Sequence, residues 1–326
     1  MSADLWDAAL AAIGSPGGAA CLLTIVERRG SAPNGPGAKM LLGSDGRSWG
    51  TVGGGVAEHQ LLERARQLLV TPGAGAVCVT LHHDAGATGE RSGMICGGVQ
   101  TYVLLRLDAR HRPALESLRD AERAHGCGRL RLSATGLAWG ENPLPPEVGA
   151  WRWDAAAEGG WLFEENVGIG EHLTIVGGGH VALALSRVAV LAGFRVTVLD
   201  DRPDVETMRL NEAAHEKKVI DYARVNQHVP EGAHSYVCIT THGYRTDRDV
   251  LAALLGKPLR YLGMLGSARK VRQVMDELAA SGVERARLDS VHAPVGVPIG
   301  SVTPEEIAIS ITADLIRARR LGDAAR

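Results

Sequence analysis

Ile175-Val176-Gly177-Gly178-Gly179-His180-Val181-Ala182 decides the fold of the second half of this chain. The apolar run Leu173–Val176 before it reads as a strand, and Val181–Leu191 after it reads as a helix. The glycines follow the form G-x-G-x-x-A. Gly177 permits the tight turn, Gly179 lets the backbone approach a pyrophosphate, and Ala182 allows close packing of helix on strand. Gly178 and His180 complete a turn whose helix N-terminus would hold the anion. A second strand, Arg195–Leu199, ends at Asp200, about 20 residues on, where an acid can accept from a ribose hydroxyl. Asp201 and Arg202 follow at once. The alternative reading is a glycine turn kept for packing alone.

Working outward, Val219–Tyr222, Ser235–Ile239 and Arg260–Leu262 read as further strands, with helices at about 247–255 and 268–280. Strands alternating with helices predict a Rossmann-like, doubly wound parallel sheet over residues 171–326. Such sheets bind ligands beyond the carboxyl ends of their strands. That places His242, in Thr240-Thr241-His242-Gly243 with Asp247, and Gly266-Ser267 among the candidate binding residues. Both stretches also read as ordinary turns, Ser267 serving as an N-cap. Thr303-Pro304-Glu305-Glu306 is a capping box opening the last helix, whose apolar stripe is Ile307, Ile311 and Leu315.

The first half, residues 1–135, reads as a mixed α/β domain without a βαβ repeat. Asp4–Ile13 is a short amphipathic helix and Ala19–Val26 a buried strand. Lys39–Leu42 and Trp49–Val52 form a hairpin about Gly43–Gly46. Gly53–Gly55 opens a helix to about Leu69, and Val77–Leu81 and Val99–Arg106 are two more strands. Residues 136–170, with Pro143, Pro145, Pro146, several glycines and four of the six tryptophans, read as an irregular connector, the indoles pinning it, or an edge strand, onto one of the domains.

The 326 residues are 45% hydrophobic and 22% charged with a net charge of -2, so two soluble domains are expected and bulk charge predicts neither nucleic acid nor an acidic membrane as partner. Asp4 and Asp7 interrupt the start, which lacks a positive segment, so no secretory signal is expected and the cytoplasm is the default location. The apolar runs are strand-length, well short of a membrane span. Cys21, Cys78, Cys96, Cys127 and Cys238 are scattered and form no C-x-x-C pair, which disfavours a disulfide framework or structural zinc.

Chemistry in the first half centres on two glycine clusters. Gly53-Gly54-Gly55 before a helix makes a second anion nest, with Glu58 in the first turn either serving the site or stabilising the helix dipole. Cys96, beside Gly97 and Gly98, is a candidate nucleophile, persulfide carrier or ligand to a soft metal, against the reading of a small buried hydrophobe. Cys21 and Cys78 lie in expected strands and read as core. His82-His83-Asp84 has metal-ligand residue types, but neighbouring strand residues point to opposite faces.

Taken together, Gly30-Ser31-Ala32-Pro33 with Gly37-Ala38-Lys39-Met40, Val52–Gly55 with Glu58, Cys96-Gly97-Gly98, the Gly177–Ala182 turn, Asp200–Pro203, Tyr261–Ser267 with Arg269-Lys270, and Ala293–Gly296 leading to Thr303–Ala308 resemble the XdhC/CoxI family of xanthine dehydrogenase accessory proteins. The resemblance spans most of the chain. It implies a chaperone that binds molybdenum cofactor (molybdopterin), supports its sulfuration and delivers it to xanthine dehydrogenase or a related molybdenum hydroxylase. A cysteine desulfurase is the implied sulfur source, Cys96 the residue facing the metal, and a homodimer the expected assembly. The glycine nests of both halves would hold the cofactor's phosphate. The competing readings are an NAD(P)-dependent oxidoreductase, which would need a proton donor such as His242 or His180, and an interaction protein whose glycine turn binds nothing.

Overall fold

The structure is a computed structural model that describes residues 2–15, 17–71, 74–83, 89–90, 92–93, 97–124, 126–145, 148–168 and 170–321. It divides into two units, residues 1–169 and 170–326.

The first unit runs α1 (Ser2–Gly14), β1 (Ala20–Arg29), β2 (Lys39–Gly43), β3 (Ser48–Gly50), α2 (Gly55–Val70), β4 (Ala76–His82), β5 (Val99–Leu107), α3 (Arg112–Arg123), β6 (Gly128–Ser133), β7 (Gly136–Gly140), β8 (Trp151–Asp154) and β9 (Leu162–Val167). Two antiparallel sheets result, ordered β3-β2-β1-β5-β4 and β7-β6-β9-β8. The central strand β1 is buried on both faces, so its apolar run is continuous instead of alternating. Cys21, Leu23 and Ile25 pack with Ala57, Leu61, Ala65 and Leu68 of α2. Ala20, Leu22 and Val26 point the other way, into a core with Trp6 of α1, Leu115 of α3, and Leu130 and Phe163 of the second sheet.

Residues 136–170 are not a connector: they supply β7, β8 and β9, three strands of the second sheet. The Pro and Gly residues punctuate turns between short strands, and the indoles pack on the sheet, Trp151 against Phe163 at 6.4 Å and Trp153 against Trp161 at 6.0 Å between ring centroids. Cys78 is exposed, not core. It lies on the edge strand β4, where Val79 and Leu81 take the buried face and Cys78 and Thr80 the other.

The second unit runs β10 (His172–Val176), α4 (His180–Leu191), β11 (Arg195–Asp200), α5 (Glu206–Arg209), β12 (Glu216–Val219), α6 (Val225–His228), β13 (Gly232–Ile239), α7 (Tyr244–Leu254), β14 (Leu259–Met264), α8 (Ala268–Ala280), α9 (Arg285–Asp289) and α10 (Pro304–Leu321). Its five strands form a parallel sheet in the order β12-β11-β10-β13-β14, with Leu173 opposite Val196 and Tyr236. Helices cover both faces. Leu173, Ile175, Val196 and Val198 pack against α4 and α10, and Val176, Leu199, Val237 and Ile239 against α7 and α8. The Rossmann-like, doubly wound arrangement is therefore as expected, and the order reverses between β10 and β13, the switch point. The strand expected at Val219–Tyr222 ends at Val219 instead, because the Asp221 carboxylate accepts the Ala223 N–H and starts a turn. The capping box of α10 forms: Thr303 Oγ1 accepts from Glu306 N at 3.2 Å, and Glu306 Oε2 accepts from Thr303 N at 3.1 Å. No helix among the described residues is long and apolar enough to cross a membrane.

Candidate functional site

In the second unit the glycine turn sits at the carboxyl end of β10. Gly177 has φ +111, and a Cβ there would lie 2.5 Å from the Thr240 carbonyl oxygen, so only glycine fits between the two strands. Thr240 closes the contact by donating its hydroxyl to Gly177 O at 3.0 Å. A Cβ on Gly178 would meet Met208 at 3.0 Å, whereas one on Gly179 would meet no protein atom within 4 Å. Gly179 therefore faces space a ligand can enter. Ala182 is buried in the helix–sheet core, and His180 is exposed at the start of α4.

Asp200 does not present an acceptor to that space. It is fully buried, and its Oδ1 accepts from Arg202 N and Nε, both at 2.9 Å, while its Oδ2 accepts from Gly178 N at 2.7 Å and Arg202 Nη2 at 2.9 Å. All the lone-pair positions of the carboxylate are used within the protein. The ribose role expected of Asp200 is replaced by a structural one: it braces the glycine turn from below. Burial pushes its pKa up, but the Arg202 and Gly178 hydrogen bonds outweigh burial and hold the carboxyl below its ordinary value. Asp201 and Arg202 are exposed beside it.

Across the switch point, Thr241 Oγ1 donates to Asp247 Oδ1 at 2.6 Å, and Asp247, fully buried, pairs with Lys270. Ser267 caps α8 by accepting from Lys270 N at 3.3 Å, and the Lys270 stem lies over Gly266. His242 is exposed, outside this network.

In the first unit Gly53, Gly54 and Gly55 all have positive φ, 130, 73 and 69, which concentrates glycine in one turn before α2. Glu58 Oε2 reaches back to accept from Thr51 Oγ1 at 2.6 Å, Val52 N at 3.0 Å and Gly54 N at 3.1 Å. Burial raises its pKa, and these hydrogen bonds, that of Thr51 first, bring it below the ordinary value. Cβ positions on Gly54 and Gly55 are open. Glu58 thus holds this turn as Asp200 holds the other.

Cys96 lies outside the described residues. Its neighbour Gly98 is packed backbone to backbone: a Cβ there would press into Ser31 O and come within 2.9 Å of Arg29 O. Behind it is a buried polar network that the sequence reading missed. His83 Nε2 donates to Gln100 Oε1 at 2.8 Å, Tyr102 OH donates to the same oxygen at 2.7 Å, and Gln100 Nε2 donates to Pro33 O at 2.5 Å. On its other side, His83 Nδ1 lies 2.6 Å from Ser92 Oγ. His83 is spent on this network, and among the described residues no cluster of His, Cys, Asp or Glu is arranged for a metal ion. The available signal was Gln100, a polar residue inside an apolar strand.

Gly37-Ala38-Lys39-Met40 also has a structural task. Lys39 pairs with the buried Glu165 of β9 and donates to Gly37 O at 2.9 Å, joining the two sheets. A further buried set, Asp314 with Tyr261, His292 and Arg317, was not foreseen, although an aspartate on the apolar side of α10 is a readable sign of a buried pairing.

Comparison with known proteins agrees with both units. Residues 15–83 match the model of the XdhC and CoxI family, and residues 173–315 match the XdhC Rossmann domain. The chain is 26% identical over 322 residues to a Bacillus subtilis protein named as a probable xanthine dehydrogenase subunit, covering 92% of this chain and 93% of that one. It is 25% identical over 298 residues to the Escherichia coli K12 protein YqeB, covering 90% of this chain but only 42% of YqeB. Among solved structures, a xanthine dehydrogenase from Bacillus halodurans superposes with a TM-score of 0.72 at 27% identity, covering 99% of this chain and 97% of the other. With one model matched in each unit, the chain belongs to the XdhC and CoxI family.

Proposed function

We propose that this chain is a maturation factor for xanthine dehydrogenase or a related molybdenum hydroxylase, and that it binds molybdenum cofactor, supports its sulfuration and delivers it. The observation that carries the reading is a pair of glycine turns, each braced from inside by a carboxylate and each open on its outer side, at Gly54 and Gly55 and at Gly179. Open glycine backbone at a helix N-terminus lets a phosphate, which the cofactor bears, approach closely. When bound, the cofactor supplies the molybdenum–dithiolene centre that is loaded with sulfur. The chain's own part is to hold the phosphate at one of these turns, with Cys96 as the proposed soft sulfur ligand. The hydroxylase, a cysteine desulfurase and a second copy of the chain are the proposed partners. The family match and the relatives named for xanthine dehydrogenase support the client.

An NAD(P)-dependent oxidoreductase is less well supported, because the Asp200 carboxylate that would accept the ribose hydroxyls has no lone pair left for them.

The test is molybdenum and pterin bound per protomer after purification from cells making the cofactor, together with activation of the cofactor-free client. Wild type retains cofactor and activates. Gly179→Val and Cys96→Ser remain folded and lose retention or activation, and Cys21→Ser loses stability but retains cofactor. Undiminished retention and activation in both of the first two variants overturns the assignment.

A further inference from the structure

A cavity of about 540 Å³ lies in the second unit between α8, α9, the segment 291–296 and α10, away from the glycine turn at β10. Its volume is within the roughly 300–1,000 Å³ of small-molecule sites. Segment 291–296 runs beside β14 as an added strand position, with Met264 N donating to His292 O at 3.0 Å and His292 N to Leu262 O at 2.8 Å. One wall of the cavity is therefore hydrogen-bonded to the edge of the sheet.

The floor is built from Asp314. This buried carboxylate accepts from Tyr261 OH at 2.7 Å and from Arg317 Nη2 at 2.5 Å, with His292 Nδ1 at 3.3 Å. It thereby orients the Arg317 guanidinium, whose remaining N–H groups are not engaged by Asp314. Above it, Met275, Leu288 and Val291 give apolar walls.

On α8, Arg272 and Asp276 line the same cavity four residues apart. That spacing permits an ion pair, yet neither side chain forms one among the described residues. Their position gives the cavity a cationic donor fork and a carboxylate acceptor that are both available to a ligand, beside apolar walls.

We infer that this cavity binds a purine nucleoside monophosphate whose base presents two adjacent N–H donors. Arg272 and Arg317 take the phosphate, Asp276 accepts from the donor edge of the base, and the ring lies against Met275, Leu288 and Val291. Guanidinium forks match phosphate oxygens, and a carboxylate matches a paired N–H edge. Two guanidiniums, one of them shared with Asp314, suit a single phosphate better than a chain of them. The site is separate from the turns assigned to the cofactor and does not depend on that assignment.

Calorimetric titration of the full chain tests this, with guanosine monophosphate, adenosine monophosphate and inorganic phosphate as separate probes. Guanosine monophosphate binds saturably, one per protomer, and more tightly than adenosine monophosphate, which lacks the 2-amino donor, or phosphate, which lacks the ring. Arg272→Ala and Asp276→Asn each weaken it by about tenfold or more. Both residues are exposed on α8, so the variants keep the wild-type melting temperature. Gly179→Val binds guanosine monophosphate like wild type, which separates this site from the glycine turn. No saturable binding, equal affinity for all three probes, unchanged affinity in both α8 variants, or loss of binding in Gly179→Val would overturn the inference.

Discussion

Asp200 Oδ2 accepts the backbone N–H of Gly178 at 2.7 Å, so the second strand of the parallel sheet holds the glycine turn that follows the first. The contact depends on parallel register: Val176, two residues before Gly178, lies opposite Leu199, one residue before Asp200. Asp200→Asn leaves one acceptor oxygen where four donors converge. The expected loss is about 2 kcal/mol, the scale of a hydrogen bond to a charged group, read from urea unfolding followed in the second unit. Stability equal to wild type would show that the turn holds without its brace.

Gly177 and Gly179 separate folding from binding. Gly177→Ala puts a Cβ 2.5 Å from Thr240 O at φ +111 and should cost on the order of 1–3 kcal/mol or more. Gly179→Val meets no protein atom at Cβ and should melt near wild type. Thermal melts of the two variants check the contrast, and equal melting temperatures would contradict it.

Asp314 sets an acid limit on the second unit. Burial pushes its carboxyl up, but hydrogen bonds from His292 and Tyr261 and the charge of Arg317 outweigh burial and bring it to about 2 from an ordinary 3.8. A depressed carboxyl contributes stability that is full above its unfolded value and is lost as pH falls through the folded one. The window is therefore about pH 4 down to about pH 2, and the contribution about 2 kcal/mol. Asp314→Asn should be less stable at neutral pH and should show a flatter fall across that window. Melting temperatures taken at successive pH values in both proteins measure the difference.

Cysteine accessibility follows the strand faces. Cys78 and Cys127 are exposed, and Cys21 and Cys238 are buried. Burial pushes the Cys21 thiol up to about 12 and the Cys238 thiol higher still. A thiol reagent should label Cys78 and Cys127 in the folded protein and reach Cys21 and Cys238 only on unfolding, as peptide mapping would show. Labelling of Cys21 under native conditions would contradict the two-sided burial of β1.

Much of the second unit was legible before the structure. Apolar runs of strand length, helical stripes between them and the Gly177–Ala182 turn are local patterns, and the sheet, α4 and the capping box of α10 follow them. The hairpin of β2 and β3 and the helix after Gly53–Gly55 were readable for the same reason. Residues 136–170 were harder. Short strands rich in Pro and Gly at their ends look irregular until β6 and β9 pair along their length.

By itself the sequence determined the periodicities, the positions where only glycine serves, and the helix start at Thr303, because each depends on residues within a few places of one another. Tertiary structure decided where the polar side chains point. Asp200 turns inward because Gly178 N, 22 residues away, meets it in the register of β10 and β11. His83 is fixed by Gln100 through the pairing of β4 and β5, Cys78 is exposed because β4 is an edge, and Asp314 meets Tyr261 across 53 residues. In each case the local sequence supplies a group able to hydrogen-bond or be buried. Its partner is chosen only when distant strands close, since a buried polar group must be satisfied by whatever that closure brings to it.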